Sequence, residues 1–223
     1  MRTLTKQTKA FTMLELVFVI VVLGIIAALA LPRMDRDLRQ EAADNILSAI
    51  RYTQHLALND DKTNPFGGNW QRALWQIRFM QSGSTWSYTI GANNDYTTGG
   101  TSIDKIEAAI DPMNGQYMFN DNPTNPLNDE SPNIFITKKY GIDTVTFNNC
   151  QGTQNTTANH IAFDHLGRPH RGITDNGSND YRTYVKTGDC TITFTFQSSG
   201  ITPLVLNIAQ ETGYAHIVGQ EDS

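Results

Sequence analysis

The sequence lacks the short motifs that mark common catalytic sites. Its 223 residues contain no Gly-rich phosphate loop, no G-x-S-x-G and no H-E-x-x-H. These patterns indicate nucleotide binding, an activated serine and a zinc peptidase, respectively. We therefore expect no enzyme activity, no catalytic residue, no bound metal and no cofactor.

Positive charge is also scarce. The chain has 17 lysines and arginines against 22 aspartates and glutamates, a net charge of −5. Proteins that bind nucleic acid need basic patches for the phosphates, so no direct nucleic-acid partner is expected. No internal repeat is present, and the length allows one soluble domain after an N-terminal apolar run.

Charge is absent from Leu16 to Leu31, and this apolar run predicts a membrane-spanning helix. Residues 11–32 would cover roughly 30 Å as a helix, enough for one bilayer crossing. Residues 1–10 carry Arg2, Lys6 and Lys9 and no acid, so this flank is expected to stay cytoplasmic while the rest is exported. The run leads into LPRMDRD, a poor match to a secretory cleavage site.

The stretch KAFTMLEL at 9–16 resembles the processing site of type IV prepilins and type II secretion pseudopilins. The resemblance implies that a prepilin peptidase cleaves between Ala10 and Phe11 and methylates the new amino group of Phe11. Residues 1–10 would then be a leader peptide. Ala10 departs from the family pattern, which has glycine at that position, but alanine is small enough that we expect cleavage.

Glu15 stands at the edge of the apolar run, where a buried carboxylate costs up to about 3 kcal/mol. The resemblance implies an assembly role, in which this carboxylate meets the amino-terminal ammonium of a neighbouring subunit. Electrostatics supports this role, because a charge in a low-dielectric environment is tolerated when an opposite charge lies next to it. The alternative is a plain anchor helix whose Glu15 reaches the lipid headgroups.

The helix is predicted to continue beyond the membrane as an amphipathic segment at 33–60. One stripe recurs at steps of three and four: Met34, Leu38, Ala42, Ile46, Ala49, Ile50, Thr53 and Ala57. Pro32 and Gly24 stand where such pilins have helix-loosening residues, and Pro32 removes a backbone hydrogen bond. We expect a hinge there; the alternative is a tolerated kink without a role.

Beyond residue 61 the alternating pattern predicts β-strands. Aromatic runs at 75–79 and 86–90 flank a turn and indicate a hairpin, and 103–110 indicates a short helix. Further strands are expected at 133–137, 142–148, 160–164, 191–197, 203–208 and 213–218. The fold class is therefore α+β: a long N-terminal helix packed on a C-terminal antiparallel β-sheet domain at 61–223.

This order of elements resembles the GspH/FimT-like pseudopilins and minor pilins, together with an F…G-R-P element at Phe163–Pro169 and a terminal hairpin containing Thr212 and Gly213. The resemblance implies a minor pseudopilin that helps initiate or cap the filament of a type II secretion system. It implies sibling pilins, the prepilin peptidase, an inner-membrane assembly platform and membrane lipid as partners.

The place implied is the inner membrane, crossed once, with the C-terminal domain in the periplasm and, after assembly, in a periplasmic or surface filament. Two alternatives stay open. One is a minor pilin of a type IV pilus or DNA-uptake filament. The other, of a different class, is a membrane-anchored binding domain that never polymerises.

Cys150 and Cys190 are the only cysteines. Export to an oxidising compartment favours a disulfide between them, and their positions beside predicted strands suggest a link between two strands. Two separate thiols are the alternative.

Two polar clusters are interpreted as ordinary surface turns. His160, His165 and His170 recur every five residues, which matches no single helix face. A metal site that Asp164 could join is the alternative. The loop Asp175–Asp180 is rich in oxygen ligands but lacks the spacing of a calcium-binding EF-hand. Calcium binding there stays an alternative to a flexible turn.

Overall fold

One helix, α1 (Met13–Leu58), runs through the N-terminal part of the chain. It ends directly before Asn59, as the sequence predicted. The computed structural model describes residues 13–64, 66–68, 70–95, 102–122, 126–150, 159–173, 184–185 and 188–221, and of residues 27–37 only the backbone. The helix has 46 residues, or roughly 70 Å at 1.5 Å per residue. It continues through Gly24 and Pro32, and the hinge stays a prediction.

The second half of α1 packs on the domain by the predicted stripe. The buried side chains on this face are Ala42, Ala43, Ile46, Leu47, Ala49, Ile50, Thr53 and Ala57. Thr53, the polar member, donates its hydroxyl to the carbonyl of Ala49 within the helix, 2.8 Å away. Small residues on this face let the sheets approach the helix closely.

The domain contains two antiparallel four-stranded sheets, where the sequence suggested a single sheet. In the first, the order is β2 (Thr85–Gly91), β1 (Trp75–Ser82), β4 (His160–Phe163) and β5 (Pro169–His170). In the second, the order is β3 (Ile142–Asn148), β6 (Cys190–Phe196), β7 (Leu204–Ile208) and β8 (Ala215–Ile217). The α+β class and the antiparallel pairing are confirmed.

Most predicted strands are confirmed. The β1–β2 hairpin turns between Ser82 and Thr85, with Gly83 at φ 59° in the left-handed region that glycine tolerates. Strand β3 has the predicted bounds, and β4, β6, β7 and β8 lie within a few residues of theirs. The short helix expected at 103–110 is a single 3-10 turn, Lys105–Glu107.

The strand predicted at 133–137 is wrong. The segment forms a 3-10 turn, Pro132–Ile134, and then the short helix α2 (Ile136–Tyr140). Ser131 accepts a hydrogen bond from the Asn133 amide, and Pro132 occupies a first-turn position where its missing N–H costs nothing. Gly141, at φ 68°, ends α2 in a left-handed conformation. These caps outweigh the strand preference of the apolar residues between them.

The core lies between the two sheets and α1. Phe79 of β1 contacts side chains of both sheets, with ring centroids 6.0 Å from Tyr88, 6.1 Å from Phe147 and 5.5 Å from Phe194. Thr137 of α2 joins the sheet edges, because its hydroxyl accepts from the Trp86 amide at 2.7 Å and donates to the Ile142 carbonyl at 2.6 Å. The two sheets therefore share one hydrophobic core.

The disulfide Cys150–Cys190 is present, as predicted. Cys150 follows β3 and Cys190 begins β6, and these two strands are neighbours in the second sheet. Both cysteines are fully buried. The bond therefore closes the end of a strand pair, in the position expected from the sequence.

Candidate functional site: the apolar half of the long helix

We call residues 13–26 the apolar half of α1, because Glu15 is their only polar side chain and the domain does not cover them. Every large apolar side chain from Met13 to Ile26 is exposed, from 37% at Val22 to 83% at Met13 and Leu14. Burying one such side chain is worth about 1.5–3 kcal/mol, so covering this segment would release on the order of 20 kcal/mol. An apolar surface of this extent indicates an interaction site.

Glu15 lies on this segment. With Leu14, Val17, Phe18 and Val21 it lines a shallow apolar surface about two helical turns in length. Its neighbours at i+3 and i+4 are Phe18 and Val19, so a carboxylate stands beside an otherwise apolar stripe. A partner helix packed on this stripe would bring its own groups next to Glu15.

Among the residues that the structure describes, no helix is long and apolar enough to cross a membrane. The processing residues Ala10 and Phe11 lie outside the described residues, as does the Asp175–Asp180 loop. Cleavage, methylation and calcium binding therefore stay predictions.

Side chains of the second half of α1 donate to backbone carbonyls of the domain, and three of them reach carbonyls within residues 167–215. Arg39 Nε donates to the Thr202 carbonyl at 3.1 Å, and Arg51 Nη2 to the Ala215 carbonyl at 2.8 Å. Gln54 Nε2 donates to the carbonyls of Gly167 and Thr212, at 3.0 and 2.8 Å. We call Arg39, Arg51 and Gln54 the helix–domain joint; nothing in the sequence pattern predicted it.

Two glycines make the closest contact of this joint. Gly213 has φ 67°, and a Cβ added there would lie 2.1 Å from the Gly167 carbonyl oxygen and 2.6 Å from Gln54 Nε2. The F…G-R-P element and the terminal hairpin, which the sequence flagged separately, therefore meet each other on α1. Both accept a hydrogen bond from Gln54 of α1.

The interpretation of the histidine cluster as surface-turn residues is wrong for most of its members. Only 3% of His160, 1% of Asp164 and none of His170 is exposed. The reason is tertiary: His160 begins β4, which lies between β1 and β5, and His170 lies on β5, with its ring centroid 5.7 Å from that of Tyr184. His165 alone lies in the turn, with Nδ1 3.1 Å from Asp61 Oδ1.

Asp164 organises this turn. Its Oδ1 accepts from the amides of Leu166 and Arg168, and its Oδ2 lies 2.7 Å from Arg168 Nη2 and 3.3 Å from His170 Nε2. Burial alone would raise the pKa of Asp164, but hydrogen bonds from His170 and Arg168 hold it well below its usual range. The carboxylate thus stays charged and fixes the F…G-R-P turn.

His160 is a structural residue as well. Its Nε2 accepts from the amides of Gly172 and Ile173 at 3.2 and 3.3 Å. Burial, with repulsion from Arg78 and Arg171, lowers the pKa of His160 to about 3, so the ring is neutral near pH 7. In the part of the chain that the structure describes, no group of three metal-ligating side chains occurs.

Comparison with protein-family models, curated proteins and solved structures finds no match for this chain. The resemblance to pilins, which rests on residues 9–16 and the F…G-R-P element, therefore stays a prediction. The apolar half of α1 and its joint to the domain are the structural features that bear on function.

Proposed function

We propose that this chain is a pilin-like structural subunit, a minor pseudopilin of a type II secretion system that helps initiate or cap a periplasmic filament. The observation that carries the proposal is α1 itself. Residues 13–26 are apolar apart from Glu15 and are exposed, while the second half of the helix is fixed to a disulfide-linked β domain. An independent soluble domain would gain nothing from such an uncovered segment.

Two environments would cover the apolar half in succession. Before assembly, residues 11–32 span the inner membrane once, with the domain in the periplasm, where the oxidising conditions favour the disulfide. In the filament, the same surface packs against α1 helices of sibling pilins. The assembly platform and the prepilin peptidase are the other expected partners.

The charge of Glu15 favours the transfer of the helix from the bilayer into the filament. In the bilayer its carboxylate costs up to about 3 kcal/mol. In the filament it meets the methylated ammonium of a neighbouring subunit, and each charge compensates the other in low dielectric. The surface beside Glu15, formed by Leu14, Val17, Phe18 and Val21, provides the apolar contact for that neighbour.

A site-specific photo-crosslinker tests the proposal in native inner membranes that contain the sibling subunits. Placed at Phe18, which is 69% exposed, it should form crosslinks to sibling pilins. Placed at Thr146, an exposed residue of the β3 edge, it should give far fewer of those crosslinks. Equal yields at the two positions would contradict packing through α1.

Charge is tested by Glu15→Gln, with Glu41→Gln as the matched change on the packed half of the same helix. We expect Glu15→Gln to insert normally but to lose most of the Phe18 crosslinks and the secretion activity, while Glu41→Gln retains both. A membrane-anchored domain that never polymerises predicts no effect of either change. If neighbouring genes encode pilus-retraction or competence components instead of a secretin and secretion ATPase, the subunit belongs to the pilus or DNA-uptake alternative.

A further inference from the structure

A pocket of about 170 Å³ lies between the packed half of α1 and residues 111–118. Ser48, Ala49 and Tyr52 of α1 form one wall, and Met113 and Met118 contribute to the other. Asp111 also lines it. The proposed filament contacts use none of these residues.

Asp111 is a buried carboxylate held by hydrogen bonds. Only 3% of the residue is exposed. Oδ1 accepts from the Met113 amide at 2.9 Å, and Oδ2 accepts from Ser131 Oγ at 2.5 Å and from Asn133 Nδ2 at 2.9 Å. Burial acts to raise the pKa of Asp111, but these bonds keep it below its usual value. The group is therefore an anion at neutral pH.

The cation that would balance this charge is missing from the part of the chain described. None of the ion pairs there, counted within 4.0 Å, includes Asp111. Lys139 acts on it only from farther away, since its ammonium bonds Asn133 Oδ1 at 2.7 Å and lies 3.6 Å from Glu41. Buried carboxylates are ordinarily paired.

The hydroxyl groups of the pocket also favour a donor-rich ligand. Tyr52 donates to the Ile110 carbonyl at 2.9 Å, and Ser48 donates to the Asn45 carbonyl at 2.8 Å. Their protons are thus engaged, and their oxygen lone pairs can accept. A carboxylate accepts about four hydrogen bonds, and Asp111 has three, which leaves room on Oδ1.

We propose that this pocket binds a primary alkylammonium group, with the ammonium on Asp111 and the aliphatic stem between Met113, Met118 and Ala49. An ammonium has three donors and no acceptor, which suits the open acceptors described above. A guanidinium needs a two-pronged acceptor, and Oδ2 of Asp111 is already filled. The group can come from a free alkylamine or from a lysine side chain of a neighbouring protein.

Pentylammonium chloride, titrated into the full chain in zwitterionic detergent, tests the proposal. Amide NMR signals of residues 111–118 should shift with a millimolar dissociation constant. The uncharged analogue 1-pentanol should bind at least about tenfold more weakly, because it lacks the charge-assisted bond. No shift with pentylammonium, or equal affinity for pentanol, would overturn the proposal.

Three variants locate the site. Asp111→Asn should weaken pentylammonium binding by about 10- to 100-fold, whereas Asp143→Asn, an exposed acid on β3, should leave it unchanged. Ser48→Leu fills the pocket from an exposed position of α1 without touching Asp111, and should also abolish binding. Should Asp111→Asn fail to fold, retained binding in Ser48→Leu refutes the site by itself.

A second probe identifies the source of the amine. Nα-acetyl-lysine methylamide carries the same ammonium on a peptide unit. If it shifts the same signals, the pocket takes a lysine side chain of a partner; if only pentylammonium binds, the ligand is a free amine. Both results support the alkylammonium site, and neither depends on filament assembly.

Discussion

Gly213→Ala should separate the domain from the long helix. Gly213 is at φ 67°, and an alanine Cβ would lie 2.1 Å from the Gly167 carbonyl oxygen, 2.6 Å from Gln54 Nε2 and 3.1 Å from the Phe163 ring. The first of these contacts is with backbone, so no side-chain rotation relieves it. The terminal hairpin or the F…G-R-P turn must move, and the Gln54 hydrogen bonds with them.

Gly83→Ala is the matched control. Gly83 has a similar φ of 59°, but an added Cβ meets nothing within 4 Å. Both variants carry the left-handed cost of about 1–2 kcal/mol, reduced by the lower entropy of the unfolded alanine chain, about 0.4–1 kcal/mol. The overlap at Gly213 adds about 1–3 kcal/mol. We expect total losses of about 1 kcal/mol for Gly83→Ala and about 2–4 kcal/mol for Gly213→Ala.

Urea unfolding of the full chain in detergent, followed by tryptophan fluorescence, measures both values. Amide hydrogen exchange at Ala209, whose N–H donates to the Tyr214 carbonyl at 2.9 Å in the terminal hairpin, reports local opening. Equal destabilisation by the two variants would refute the steric argument. The steric argument would also be refuted if the terminal hairpin lost exchange protection in Gly83→Ala but not in Gly213→Ala.

Three further outcomes are expected. The mature protein should have the mass of residues 11–223 plus one methyl group and less two hydrogens, and a chain that keeps Ala10 beside active peptidase would disprove the processing prediction. Cys190→Ala should lower the free energy of unfolding by about 2–4 kcal/mol in non-reducing urea titrations; an unchanged midpoint contradicts it. Since the pKa of His160 is lowered to about 3 from about 6.5 when unfolded, its contribution to stability is present above about pH 6.5 and is lost as the pH falls toward 3. His160→Gln should flatten the fall in urea midpoint between about pH 6 and about pH 4, and an unchanged slope would exclude His160 as the cause.

The sequence predicted those elements whose pattern is local. The stripe of small and apolar residues placed α1 and its end near Asn59, and the alternating aromatic residues placed the β1–β2 hairpin. Residues 133–137 were wrongly predicted as a strand because an apolar run with strand preference lies between a serine cap and Gly141. The caps, which are equally local, were the overlooked signal.

The parts that could not be predicted depend on distant pairs. His160 is buried at the start of β4, which pairs with β1; in this pairing Phe163 faces Trp75, more than 80 residues earlier in the chain. Gln54 contacts carbonyls 113 and 158 residues away. The pocket at Asp111 depends on Ser131 and on α1, which are both distant in the sequence. No spacing in one sequence reveals such contacts.

The helix–domain joint has a consequence for sequence change. Arg39, Arg51 and Gln54 all donate to main-chain carbonyls, those of Thr202 and Thr212 in loops and that of Ala215 at the first residue of β8. Every amino acid offers the same carbonyl, so most substitutions in these loops leave the acceptors in place. The domain can therefore alter its outer face, and with it what it recognises, while the helix keeps the same attachment. Gly213 is the exception, because there the backbone itself leaves no room for a side chain.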